Sequence, residues 1–158
     1  MKYDNPLNCN IVLQIPSHEK SVACIRENLN NVTKMPGCYL IWRKEELIYV
    51  GVSGVSWTKD NPKTSHLKHR LSDHFRGTKS DVFPIKVFER IILNQITKKE
   101  IEEVTNGKKE IRHLARNYIR INFTFTFATT TEFTLAKKTE LYVRKGGLGQ
   151  KPLLNPLD

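Results

Sequence analysis

The sequence is short of the residues that build metal and redox centres. Its three cysteines, Cys9, Cys24 and Cys38, form an odd set at wide spacing with no C-x-x-C pair. That excludes paired-thiolate zinc grips and dithiol redox chemistry, and it predicts reduced, buried thiols. No apolar run approaches the ~18 residues of a membrane span. The first twenty residues, MKYDNPLNCNIVLQIPSHEK, lack the basic flank and the small-residue cleavage site of a secretory leader. A cytoplasmic protein with no membrane partner is expected. Internal repeats, low-complexity tracts and Gly/Ser linkers are also missing, so the organisation has to be read from periodicity. Acids are scarce as well: 16 Asp and Glu stand against 26 Lys and Arg, for a net charge of +10. Such a balance favours a polyanion as partner. Residues 1–35 hold four bases and three acids, whereas 36–158 hold 22 and 13, which places the anion-binding part after residue 35.

What is present suffices for one domain with a real core, since 39% of the 158 residues are apolar and 27% charged. Residues 1–35 read as an extension packed on a domain formed by 36–158. Segment 8–16 (NCNIVLQIP) reads as a short strand ended by Pro16, and 18–31 as a helix with Val22, Ile25 and Leu29 at helical spacing. After the Met35-Pro36-Gly37 break, Gly37–Trp42 and Leu47–Ser53 are β-rich runs joined by a short polar stretch, the pattern of an antiparallel hairpin. A polar loop, 54–65, leads to a helix at 66–76 with Leu67, Leu71 and Phe75 on one stripe and Gly77 as its stop. Ile85–Leu93 fits a helix or a strand. Over 108–120 the helical wheel puts Lys109, Arg112, Arg116 and Arg120 on one side and Ile111, Leu114, Ala115 and Tyr118 on the other. Ile121–Thr129 alternates Phe and Thr, which predicts a strand with one buried face, and a last helix covers 132–144. This order makes an α+β domain, a small antiparallel sheet with helices packed on it.

Several residues in this frame can carry chemistry. Tyr39 follows Gly37-Cys38, and Tyr49 precedes Val50-Gly51, ten positions later; a hairpin of that length can bring the two phenols together. Taken alone, strand tyrosines are more often cross-strand packing. Arg70 and His74 are four apart, so both project from one edge of the next helix. An arginine there offers a fork of donors to a phosphate, or is a surface arginine with a snorkelling stem. Glu140 lies among Lys137, Lys138, Arg144 and Lys145, and suits either an ordinary ion pair or a hard oxygen ligand for Mg²⁺.

Taken in order, Gly37-Cys38-Tyr39, Tyr49-Val50-Gly51, the helix with Arg70 and His74, Glu140, and Asn155 in K-P-L-L-N resemble the GIY-YIG nuclease family over about residues 36–156. Two departures stand out. Cys38 replaces the usual aliphatic residue, and eighteen residues separate Gly51 from Arg70, so 54–65 reads as an insertion and Arg76 is the fallback arginine.

The resemblance implies a three-stranded antiparallel sheet flanked by helices and a metal-dependent hydrolysis of DNA phosphodiesters. It implies that Glu140 binds Mg²⁺ or Mn²⁺, that Arg70 holds the phosphoryl oxygens, and that Tyr39 or Tyr49 positions or deprotonates the attacking water. A phenol titrates near 10, so that role calls for cations that depress it. His74 is expected to relay the proton, and Gly51 and Asn155 to support the site. The stripe Lys109, Arg112, Arg116 and Arg120 and the loop 54–65 are candidates for gripping duplex DNA; the stripe read blandly is a solvated helix face. RNA stays open as a substrate and a homodimer as an assembly.

Three other readings compete. A non-catalytic nucleic-acid-binding module with the same fold predicts binding without scission. A zinc site built from His66, His69, Asp73 and His74 lacks paired-ligand spacing. Gly146-Gly147-Leu148-Gly149-Gln150-Lys151 is followed by Pro152 and comes after a helix, so it terminates that helix and is no phosphate loop. Among nucleases, a restriction-like, phage or mobile-element endonuclease fits a stand-alone domain better than a repair enzyme.

Overall fold

The computed structural model describes residues 12–61, 66–78 and 80–157. Four strands form one antiparallel sheet: β1 (Val22–Ala23), β2 (Gly37–Arg43), β3 (Glu46–Ser53) and β4 (Thr124–Thr129), in the order β1-β4-β2-β3. Five helices accompany it: α1 (Leu67–Arg76), α2 (Phe83–Arg90), α3 (Lys98–Thr105), α4 (Ile111–Asn122) and α5 (Phe133–Arg144). The domain is α+β, as its periodicity predicts.

The hairpin forms where expected, with Gly37 opposite Ser53, Tyr39 opposite Gly51 and Ile41 opposite Tyr49. β2 is one of the two inner strands and is buried from Gly37 to Trp42, which explains its unbroken apolar run. Its side chains alternate between two cores. Tyr39 and Ile41 join Leu67, Leu71, Phe75, Val87, Ala115 and Ile119 on the side of α1, α2 and α4. Cys38, Leu40 and Trp42 join Val50, Ala136 and Val143 under α5. Burying each Leu or Ile here contributes on the order of 1.5–3 kcal/mol.

Four expectations need correction. The sheet has four strands, not three, because Val22–Ala23 pairs with Phe125 and Thr124 at its margin. Residues 18–31 are not one helix but two 3-10 turns, His18–Lys20 and Arg26–Asn31, on either side of β1. There the Cys24 amide donates to the Phe123 carbonyl at 3.1 Å, so pairing across the sheet prevails, helped by three weak helix formers, Asn28, Asn30 and Asn31. Residues 12–16 carry no strand; Leu13 instead donates its amide to the Thr139 hydroxyl at 2.9 Å. Residues 8–11 lie outside the described residues. Finally, β4 is covered on both faces, since Thr126 is buried beside Phe125 and its hydroxyl accepts from the Trp42 indole at 3.0 Å.

Segment 85–93, which fits helix or strand from sequence, resolves into α2 and a 3-10 turn at Ile92–Asn94. The exposed helix α3 starts with a capping box between Thr97 and Glu100. Leu114 and Ala115 of α4 are buried as expected, but Ile111 is exposed and Ile119 takes a core place. Cys24 and Cys38 are free, buried thiols; Cys9 lies outside the described residues. No described helix is long and apolar enough to cross a membrane.

Candidate active site

Two glycines shape the hairpin around one phenol. A Cβ on Gly51 would sit 2.2 Å from the Tyr39 hydroxyl, and one on Gly37 would sit 2.4 Å from the Ala128 carbonyl oxygen. Each glycine of the paired tripeptides is thus a place where ring or backbone comes closer than any side chain permits. Tyr39 lies across Gly51 and is fully buried. Tyr49 is on the same sheet face, half-buried, its ring centroid 6.2 Å from that of Tyr39.

α1 delivers the next two groups. The His66 imidazole caps it, accepting from the His69 amide at 3.1 Å, and Gly77 ends it in the left-handed conformation at φ 65°. The Arg70 guanidinium stands close enough to both phenols for its charge to favour their ionised forms. His74, fully buried one turn further on, places Nε2 2.6 Å from the Tyr39 hydroxyl. Its Nδ1 lies 2.5 Å from Oδ2 of Asp81, whose Oδ1 accepts from the Phe83 amide at 3.2 Å.

Asp81 is the participant that sequence reasoning missed. An acid two residues before the first turn of a helix that carries Pro84 reads as a helix-start residue; its role in the site arises only because the fold folds α2 back onto α1. Among the described residues it is the one acid that contacts His74.

The charges follow from the geometry. Burial opposes ionisation of Asp81, but the bond to His74 and the Phe83 amide outweigh it and hold the carboxyl below its ordinary value. Burial likewise lowers His74, with the Asp81 bond only partly offsetting it. The pair at neutral pH is therefore a carboxylate and a neutral imidazole. A carboxylate only accepts, so Nδ1 carries the proton and Nε2 is left as the acceptor for the Tyr39 O–H. Burial, then Tyr49, push the Tyr39 phenol well up against the opposing Arg70, and burial also raises Tyr49. The expectation that cations depress these phenols is thus not met by Arg70: desolvation wins. Burial would lower the Arg70 guanidinium itself, but Tyr39, Asp81 and Tyr49 outweigh it and keep it charged.

Arg70 opens onto a cleft of about 550 Å³ lined also by Ser53, Gly54, His66, His69 and Asp73. The Ser53 hydroxyl is buried there without a hydrogen-bond partner among the described residues. His69 and Asp73 form a loose pair at 3.6 Å on its rim. Arg76 lies in a different cleft, so the phenols meet Arg70 and not the fallback arginine.

Glu140 and Asn155 stand apart from this cluster. Glu140 is buried on α5 and ion-paired with Lys137; it touches none of the four residues around Arg70, yet its charge is felt at Tyr49 and Cys38. Among the described residues no three His, Cys, Asp or Glu side chains converge on one point. A divalent metal at Glu140 would be completed by water and substrate oxygens, a donor set that suits Mg²⁺. The side-chain amide of Asn155 bonds both backbone groups of Val50, accepting from its N–H at 3.1 Å and donating to its carbonyl at 2.5 Å.

The basic stripe of α4 divides. Lys109 is ion-paired with Glu103 at 3.1 Å, and Arg112 donates to the Thr78 carbonyl at 2.5 Å. Arg116 and Arg120 line a cleft. Of the loop 54–65, residues 62–65 lie outside the described residues; Trp57 anchors its start by donating to the Lys34 carbonyl at 2.9 Å.

Comparison with protein-family models, with curated proteins and with solved structures finds no match to this chain.

Proposed function

We propose that the chain is a divalent-metal-dependent DNA endonuclease of the GIY-YIG kind. The observation that carries this reading is an ordered relay, Tyr39 to His74 to Asp81, with the Arg70 guanidinium set beside its phenol and that of Tyr49. A cation standing at a cleft beside two neutral hydroxyls is available to a phosphodiester, and a hydroxyl bonded to a neutral imidazole has an outlet for a proton.

Tyr39 is the group that receives the proton of the attacking water, because its hydroxyl alone leads to an acceptor. As the water proton passes to the Tyr39 oxygen, the phenol's own proton passes to Nε2 of His74. No free phenolate forms, so the raised pKa of Tyr39 does not block the step. Asp81 stabilises the resulting imidazolium, the role an orienting acid plays in other relays. Tyr39 is sealed in the free protein, and its oxygen meets water once Arg70 leaves it for the phosphate. Tyr49 keeps Arg70 at the cleft, and Asn155 braces the strand behind it. Glu140 would hold Mg²⁺ or Mn²⁺, which when bound neutralises phosphate charge and stabilises the leaving oxygen. A restriction-like or mobile-element role in the cytoplasm belongs to the same proposal.

The test is plasmid nicking with Mg²⁺, Mn²⁺ or EDTA by the natural chain and by folded Glu140→Ala and Arg70→Ala variants. Metal-dependent cutting that falls at least about a hundredfold in both variants is expected. A folded natural chain that binds DNA but cuts with neither metal would overturn the enzyme reading in favour of a binding module.

A further inference from the structure

A second cleft, about 380 Å³, lies on the other flank of α1, where the 3-10 turn Arg26–Asn31 and α4 close around it. Arg26, Ser72, Arg76, Arg116 and Arg120 line it, opposed by one acid, Glu27. Three separate elements therefore deliver four guanidinium groups to one place. None of the four forms an ion pair among the described residues. Among the described residues the buried Arg116 Nε–H has no hydrogen-bond partner there.

Like charges gathered this way repel, and a buried donor without an acceptor is costly. An anion with several acceptor oxygens removes both penalties at once. Planar arginine forks match the oxygens of phosphate closely. Arg26, Arg76 and Arg120 are exposed, so the anion arrives along an open surface as part of a long polyanion.

We infer that this cleft binds a backbone phosphate of duplex DNA away from the bond to be cut. The choice of DNA as the polyanion rests on the nuclease reading; the arginine cluster does not. From Arg70 in the first cleft to Arg76 in the second, α1 rises about 9 Å, while phosphates of one strand follow each other every ~3.4 Å along the duplex axis. One duplex laid across α1 meets both clefts.

The experiment measures binding of the full chain to a short labelled duplex by fluorescence anisotropy, in EDTA and across a range of salt. Arg26→Gln/Arg120→Gln is expected to weaken binding about tenfold and to flatten the salt dependence by about one unit of slope, the signature of a lost phosphate contact. Arg116→Lys, which keeps the charge but removes the buried Nε–H, weakens binding with the slope nearly unchanged. Lys98→Gln/Lys99→Gln, two exposed residues of α3 that line neither cleft, serves as the charge-matched control and leaves both quantities close to those of the natural chain. Folding of each variant is checked by thermal denaturation. If the folded arginine double variant behaves like the lysine control, the cleft assignment is overturned. Nicking by the natural chain is scored separately. Cutting without the arginine effect rejects the cleft and keeps the nuclease; the arginine effect without cutting does the reverse. A natural chain that binds no duplex rejects the cleft assignment.

Discussion

The two faces of β2 solve burial in opposite ways. On the α5 side, Cys38, Leu40 and Trp42 pack against Val50, Ala136 and Val143, and the strand's own polar contact there is one indole donating to Thr126. On the α1 side, the same strand commits Tyr39 to a buried chain of phenol, imidazole and carboxylate. The first arrangement stabilises by removing apolar surface from water. The second takes an ionised acid and a titratable base out of water, which costs stability unless every donor and acceptor is met. Here each is met: Oδ2 of Asp81 by His74, Oδ1 by Phe83, and Nε2 by Tyr39. A fold gains little from such a chain that leucines would not supply better, which is why the proposed function is placed on this face.

The sharpest way to break the comparison is Asp81→Asn. An amide cannot fix the same imidazole tautomer or stabilise an imidazolium, so cleavage should fall about 10²–10⁴-fold while the fold survives with a loss of roughly 1–3 kcal/mol. Equal activity in single-turnover assays would show that the chain is structural. On the apolar face, Leu40→Ala should cost about 2–5 kcal/mol in urea unfolding and leave the pH profile of cleavage where it was. Gly51→Ala forces the Tyr39 ring to move and should cost about 1–3 kcal/mol, with a loss of cleavage larger than that of Leu40→Ala. Trp42→Phe removes the bond to Thr126 and should cost about 1 kcal/mol without touching activity.

The same contrast should appear in stability against pH. His74 binds its proton less readily folded than unfolded, so stability is lost as pH falls below its ordinary 6.5. Asp81, held below its ordinary 3.8, adds a further loss as pH drops through that range. Tyr39 keeps its proton when the unfolded chain gives it up, and stability falls again above about 10. The buried Cys24 and Cys38 thiols, also pushed up by burial, start the alkaline loss from about 9, so thermal melts should be highest between roughly 6.5 and 9, and His74→Phe should flatten the acid side.

Much of this was legible in the sequence because it is written in short periods. The hairpin, α1, α4, β4 and α5 each announce themselves within a dozen residues. The paired tripeptides led to Tyr39 and Tyr49, and the four-residue step from Arg70 to His74 placed both beside them. What escaped depends on contacts between distant segments. Val22, Ile25 and Leu29 sit at helical spacing, yet the sheet edge claims Val22–Ala23 as a strand. Asp81 looks like any acid before a helix until α2 meets α1. Arg26 lies some fifty residues from Arg76, and no wheel drawn on α4 could have joined them.

The stretch Leu153–Asn155 has a consequence of another kind. β3 is the outer strand, and its free side is not bare: Leu153 and Leu154 donate to the carbonyls of Leu47 and Ile48, and Asn155 uses its side-chain amide as a counterfeit peptide group against Val50. The opposite margin is only the two residues of β1. Among the described residues a sheet finished in this way offers no long row of unpaired groups to a passing strand, so the protein is protected from edge-to-edge aggregation at high local concentration.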